Sequence, residues 1–455
     1  MKGKKIVSTL LALLLLASLP VSALAAEWDI SKGDITVNAG SGGQTVTQGS
    51  QVDVPDSAPV ITGSSTENTL TINAEKDQTA NVTLSGVNID VSTKDKAAVS
   101  TTGEGNVSIE LNGDNTLKSG KGHAGLEKKN GGSLTIADED KNGKLTAEGG
   151  KYGAGIGGGD QGAGSGITIT GGEIKATGGQ YGAGIGGGKG DGSDITISGG
   201  EVNATGGTSG AGIGGGYNGN GSDITITGGN VTAVGKEDNP NRIGGAGIGG
   251  GGSQSSNAGG GSNLKITGGR VTAVGGNFSA GIGGSIGSNG DNITISDAEV
   301  IAIGGTCAAG IGGGCRLGNG IVGQGTNISI SGSANVKAAG GVGDSMDGAG
   351  AAIGAGGSHQ GTTAQEGAAD TSGLSPDGKV ERFTPGTTFD IPQPKPRSSF
   401  PKPTPDPVAA EEEPQPVKAA LYRVIDDAGK ALPVETKQED GVLLLTAQSD
   451  IAILE

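Results

Sequence analysis

Seven copies of one glycine-rich phrase, Gly-Ala-Gly-Ile-Gly-Gly-Gly and its close variants, govern what this chain can fold into. They are anchored by Ile156, Ile185, Ile213, Ile248, Ile282, Ile311 and Ile353, with spacings of 29, 28, 35, 34, 29 and 42 residues. A self-similar period near thirty is the signature of one structural unit stacked on itself. Within each unit the phrase is followed by two more strand-like runs, such as Ile167-Thr168-Ile169-Thr170 and Glu173-Ile174-Lys175-Ala176-Thr177. The alternation of Ile167 and Ile169 with Thr168 and Thr170 is the period-two pattern of half-buried strands. Three strands per unit predict an all-β chain, a parallel β-helix whose coils take about 28–35 residues. Each coil leaves its apolar edges and strand hydrogen bonds unmet until a neighbour covers them.

The side-chain supply agrees with a narrow interior. With 97 glycines and 2% aromatic residues, the chain cannot fill a wide globular core. An inward isoleucine contributes roughly 1.5–3 kcal/mol, against about 0.5–1 kcal/mol lost for each glycine ordered in place of alanine, so a coil is expected to stand only in a stack. Asp194, Asp223, Asn263, Asn292 and Asn327 each fall just before the apolar residue that opens the second strand. Asn and Asp tolerate left-handed backbone and bond their own turn, which predicts a ladder of turns there.

Weaker echoes precede the regular copies: Leu70-Thr71-Ile72, Val82-Thr83-Leu84, Val107-Ser108-Ile109 and Leu134-Thr135-Ile136. They extend the predicted solenoid back toward residue 34, with Trp28 to Ile30 over its open end, so the β-helix is assigned to 26–357 and its divergent coils to the part before about 150. Residues 1–25 read as a secretory signal: Lys2, Lys4 and Lys5 lead an apolar run at 6–19, and Ala23-Leu24-Ala25 offers small residues for cleavage. The formal charge of −16 argues against phosphate-neutralising nucleic-acid binding. No other long apolar run predicts a membrane span. Prolines from Pro392 to Pro407 mark 358–417 as a stiff, extended linker. Three short apolar runs in 418–455 predict a small β module, too small to support its own core and expected to dock on a cell-envelope component or other partner.

Residues suited to catalysis are sparse. His123 and His359 are the two histidines and neither has an evident partner, while Arg242 and Arg270 are the arginines before Arg316. Asp138-Glu139-Asp140-Lys141-Asn142-Gly143 places side-chain oxygens at alternating positions, a spacing with which Asp138, Asp140 and Asn142 can wrap a calcium ion. The competing reading is a hairpin turn at Asn142-Gly143. Tyr152 and Tyr181 stand two residues before the alanine of their phrases, and Phe278 holds that position three coils on. At about 4.8 Å between coils, Tyr152 and Tyr181 fall within stacking distance as a short platform for sugar rings, with Tyr217 in a loop able to join them. The competing reading is that these rings only cover the flank. Outward Thr168, Thr196, Thr225 and Thr294 form a ladder that Lys265 interrupts, as strand propensity alone would choose. Cys307 and Cys315 flank a phrase; a bridge between them requires a bend within the glycines, and the alternative is two small packed thiols.

The run Val107-Ser108-Ile109-Glu110-Leu111-Asn112-Gly113-Asp114-Asn115-Thr116-Leu117, the segment His123-Ala124-Gly125-Leu126 and the later phrases resemble secreted clostridial β-helix proteins described as carbohydrate-binding domain proteins. The likeness covers roughly residues 60–357. It implies a right-handed, pectate-lyase-like parallel β-helix that binds plant polysaccharide, acidic sugars included, with calcium and without cleavage. The resulting expectation is a secreted or cell-surface, non-catalytic protein that grips an extracellular polysaccharide along the solenoid flank with calcium as cofactor. The alternatives are a surface adhesin or spacer and, third, a polysaccharide lyase.

Overall fold

The computed structural model describes residues 26–236, 243–253, 258–316, 321–358 and 364–389, and the strand backbones at 424–425, 434–439, 442–447 and 453–454. The expected leader at 1–25, His359, Arg242 and the proline-rich part of the linker lie outside these residues. No helix among the described residues is long and apolar enough to cross a membrane.

Each unit bends twice, because glycine-rich corners separate its three strands. Ile-Gly pairs form a first sheet of 13 strands, Ile-Thr-Ile segments a second of 12, and Glu-Val-Asn-Ala-Thr segments a third of 11. The chain visits first, second and third sheet in turn and pairs in parallel with the coil before, producing a right-handed parallel β-helix. Residues that match in the repeat match in register. Leu126, Ile156, Ile185, Ile213, Ile248, Ile282, Ile311 and Ile353 are successive partners in the first sheet. Ile167, Ile195, Ile224, Leu264, Ile293 and Ile328 are partners in the second. All of these side chains are buried, so the interior consists of aligned aliphatic rungs.

The glycine after each anchor has a backbone reason. Gly157 sits at φ +134°, and a β-carbon on it would run into the carbonyl of Gly186 in the next coil. The turn ladder before the second strand forms as expected: Asp194, Asp223, Asn263, Asn292 and Asn327 adopt φ of 51°, 53°, 53°, 55° and 51°. The Asn263 amide donates to Asp223 at 3.0 Å, Asn292 to Asn263 at 3.1 Å and Asn327 to Asn292 at 3.0 Å. Neighbouring coils are therefore tied by side chains as well as by strands.

The two ends of the stack differ. At the start, Glu27–Asp29 pairs with Val60–Thr62, and the buried Trp28 donates its indole N–H to Asp56 at 2.9 Å. Two antiparallel strands, Gly43–Gln48 and Gln51–Pro55, fold over the edge of the first sheet. At the other end, pairing continues beyond the boundary expected at 357. Ala369–Asp370 joins the second sheet and Lys379–Phe383 the third, so part of the stretch assigned to the linker is one more coil. This coil carries no glycine phrase, and its strands pair on one side only. The Asn142-Gly143 turn also differs from the hairpin reading: the strands it joins, Leu134–Ala137 and Lys144–Glu148, belong to different sheets, and the turn is a coil corner.

A second compact unit spans 393–455. Within it Val434–Glu439 pairs antiparallel with Val442–Ala447, and Val424–Ile425 with Ile453–Leu454.

Candidate functional site

The corner of the first sheet brings together the residues four before and four after each anchor isoleucine. Cys307 and Cys315 show how close these positions come: their Cα atoms are 5.2 Å apart and the sulfurs are bonded. The bend that straight-strand geometry forbids is supplied by the phrase itself, so the bridge requirement is met. Backbone bonds link these positions between coils. Tyr217 N–H donates to the Tyr181 carbonyl at 2.8 Å and Cys315 N–H to Phe278 at 3.0 Å. A column of corner side chains results, and its make-up changes from coil to coil.

In three successive coils this column is aromatic. The Tyr152 and Tyr181 rings stack with centroids 5.4 Å apart and an interplanar angle of 14°. Tyr217 meets Tyr181 edge-on at 5.2 Å and 79°. Tyr152 and Tyr181 precede their anchors by four residues and Tyr217 follows its own by four, so it reaches the platform from the opposite arm of the corner. All three rings are partly exposed. Phe278 is not part of the cluster. It lies three coils from Tyr181, roughly 14 Å along the stack, with Ser209 and Gly244 at the intervening positions, and no ring contact joins it to the tyrosines among the described residues.

Positive charge surrounds the platform. The ammonium groups of Lys189, Lys151 and Lys121 stand 4.7, 5.2 and 5.6 Å from the Tyr152 ring centre, and Lys151 is also 5.9 Å from that of Tyr181. Such placement is favourable because the ring face is electron-rich. Lys189 is paired with Asp160 at 3.1 Å. Lys121 and Lys151 have no carboxylate within ion-pair reach among the described residues.

Immediately before the platform lies a group that sequence reading missed. His123 places Nδ1 3.0 Å from the buried Glu127 carboxylate and Nε2 3.6 Å from Asp95. Lys129 reaches the same Glu127 oxygen at 2.9 Å. His123 thus has the partners its local sequence did not reveal. Asp95 comes from the previous coil, and the coil spacing applied to His123 would have found it. Lys189 and Asp160 were legible too, since both follow an anchor by four residues.

The expected calcium residues are spread over a corner. Asp138 Oδ1 accepts from the N–H groups of Asn142 and Gly143, both at 3.1 Å, which makes it the cap of the turn. Asn142 Oδ1 accepts from Gly113 N–H at 3.4 Å. Asp140 instead borders a shallow hollow on the second sheet with Glu110 and Glu139. Burial holds the Glu110 carboxyl above the usual range, with repulsion from Glu139, Asp138 and Asp140 adding to it; a hydrogen bond from Glu139 N–H at 2.7 Å works the other way.

A family model described as the beta helix repeat matches residues 141–160, 167–189, 195–217, 224–252, 264–287 and 293–315. The six matches fall between residues 141 and 315, the stretch that carries the regular glycine phrases. The matched segments contain Tyr152, Tyr181, Tyr217 and Phe278 at their corner positions. No curated protein and no solved structure matches the chain.

Proposed function

We propose that the solenoid flank around Tyr152, Tyr181 and Tyr217 binds an extended extracellular polysaccharide without cleaving it. The observation that carries this reading is the parallel Tyr152–Tyr181 stack, extended by Tyr217 and bordered by three lysines. Aromatic faces accept the apolar C–H face of a sugar ring, and a linear array of them suits a linear polymer. Lys121 and Lys151 offer charge-assisted contacts to the carboxylates of acidic sugars. The chain as a whole, at a formal charge of −16, repels a polyanion at long range, and a divalent cation would relieve that repulsion. Calcium assistance therefore stays in the proposal as relief of that repulsion, but not with Asp138, Asp140 and Asn142 as a joint site, since Asp138 and Asn142 already accept turn hydrogen bonds.

Affinity electrophoresis and calorimetry against neutral and uronate-containing polysaccharides, with and without a chelator, test this function. Each ring contact is worth about 0.5–1.5 kcal/mol. The Tyr152→Ala, Tyr181→Ala pair should accordingly weaken binding about tenfold, and Lys121→Gln with Lys151→Gln should act on acidic glycans alone. Unaltered affinity in the tyrosine pair retires the platform. Ultraviolet absorbance of polygalacturonate incubated with the protein and calcium should stay flat; a steady rise from new unsaturated ends would make it a lyase.

A further inference from the structure

The corner column ends in chemistry of another kind. Cys307 and Cys315 are fully buried, and the following coil lays Asp347 over them, with Oδ2 3.8 Å from Cys315 Sγ. Asp347 is itself nine-tenths buried. Its other oxygen, Oδ1, takes the Arg316 guanidinium through Nε and a terminal nitrogen, each at 2.6 Å. Asp344 Oδ1 accepts from the N–H groups of Met346 and Asp347 at 2.8 and 2.7 Å, fixing the loop that carries the carboxylate. The two sulfurs and one Asp347 oxygen lie within 4.8 Å of one another, the one such group of three among the described residues.

As a disulfide, the sulfurs carry no charge with which to hold a cation. We propose that reduction converts this staple into a binding site for a thiophilic divalent ion of the zinc class. Two equivalents of a small thiol supply two electrons: the S–S bond breaks, both cysteines become thiols and the reductant leaves as its own disulfide. The metal then displaces the two thiol protons to water. Cys307 Sγ and Cys315 Sγ bind as thiolates, Asp347 Oδ2 is the third ligand and a water is the fourth, a tetrahedral set that zinc accepts. Charge also balances, since two thiolates and one carboxylate face a divalent ion and the Arg316 cation. Arg316 acts here as a positioning residue, holding the carboxylate by the oxygen that does not face the sulfurs, as outer partners of metal ligands do.

The test uses the full chain, reduced with dithiothreitol, desalted without oxygen and titrated with cobalt(II), whose thiolate complexes absorb by charge transfer. Reduced protein should take up one equivalent that zinc displaces, and oxidised protein none. Asp347→Asn should weaken uptake at least about tenfold while keeping the charge-transfer band, and Cys307→Ser should abolish it. Three results overturn the proposal: no band from a reduced chain whose β circular dichroism is intact, Asp347→Asn binding as tightly as the unmodified chain, or loss of the β signal on reduction before metal is added. None of these bears on the polysaccharide reading, which rests on other coils.

Discussion

Glu110 shows how a coil's neighbours set the chemistry of one residue. It is harder to ionise in the fold than in the unfolded chain, chiefly through burial and then through the acids of the following coil. The folded state therefore holds this proton more tightly. Stability from this group is fully present below the ordinary glutamate value and is lost as pH climbs through the raised folded one. Glu110→Gln keeps the acceptor for Glu139 N–H and removes the titration. Thermal melts should show the variant more stable than the parent near neutral pH, with the gain vanishing in acid; an equal difference at both pH values would contradict this account. Single residues were legible wherever the repeat fixed their neighbours. Tyr152 and Tyr181 were paired from spacing alone, since the same position in adjacent coils must stack. His123 was not, because Asp95 sits one coil back, and the Cys307–Cys315 bridge stayed open between two readings because local sequence does not show the bend that closes it.

At the scale of elements, the strand N–H groups of Ala-Gly-Ile normally donate to carbonyls of the next coil, as Ile156 does to Gly184 at 3.0 Å. The last copy has no such coil beside its first strand, and Glu366 takes its place. The Glu366 carboxylate accepts from Ala352 N–H at 2.6 Å and Ile353 N–H at 3.1 Å and pairs with Arg382 at 2.9 Å. A side chain thus blunts a sheet edge that would otherwise be open to another chain. Glu366→Ala should lower stability by about 1 kcal/mol, the usual net worth of a hydrogen bond, and should promote concentration-dependent self-association in sedimentation velocity. A strictly monomeric variant with an unchanged melt would remove the capping role. Sequence reading placed the end of the solenoid at 357 because it followed the glycine phrase. The final coil packs Ala369, Leu374 and Val380 on the core without any glycine phrase, and Glu366 has no pattern to betray it. The Asn142-Gly143 corner misled for a related reason: the same turn residues serve a hairpin and a change of sheet, and only the strands' other partners decide between them.

For the solenoid as a whole, the aligned rungs make stability a sum over coils and their contacts, so its length should be adjustable in whole units. Ile185 and Ile213 are 28 residues apart and occupy the same register. Deleting 186–213 joins Ile185 to Gly214. Gly164–Ile169 then meets Gly221–Ile226, and Glu173–Thr177 meets Asn230–Val234, with every inward residue still facing an inward one. The shortened chain should keep its β circular dichroism and melt cooperatively within a few degrees of the parent. Deleting 186–199 removes half a coil, so apolar rungs face polar corners and the chain should fail to fold. Tyr152, Tyr181, Lys121 and Lys151 survive the whole-coil deletion, and of the bordering lysines it removes Lys189, which is paired with Asp160. Binding of both neutral and acidic polysaccharide should therefore be retained in the shortened chain. If both deletions behaved alike, the rungs would not be interchangeable, and a one-dimensional stack would be the wrong description of this chain.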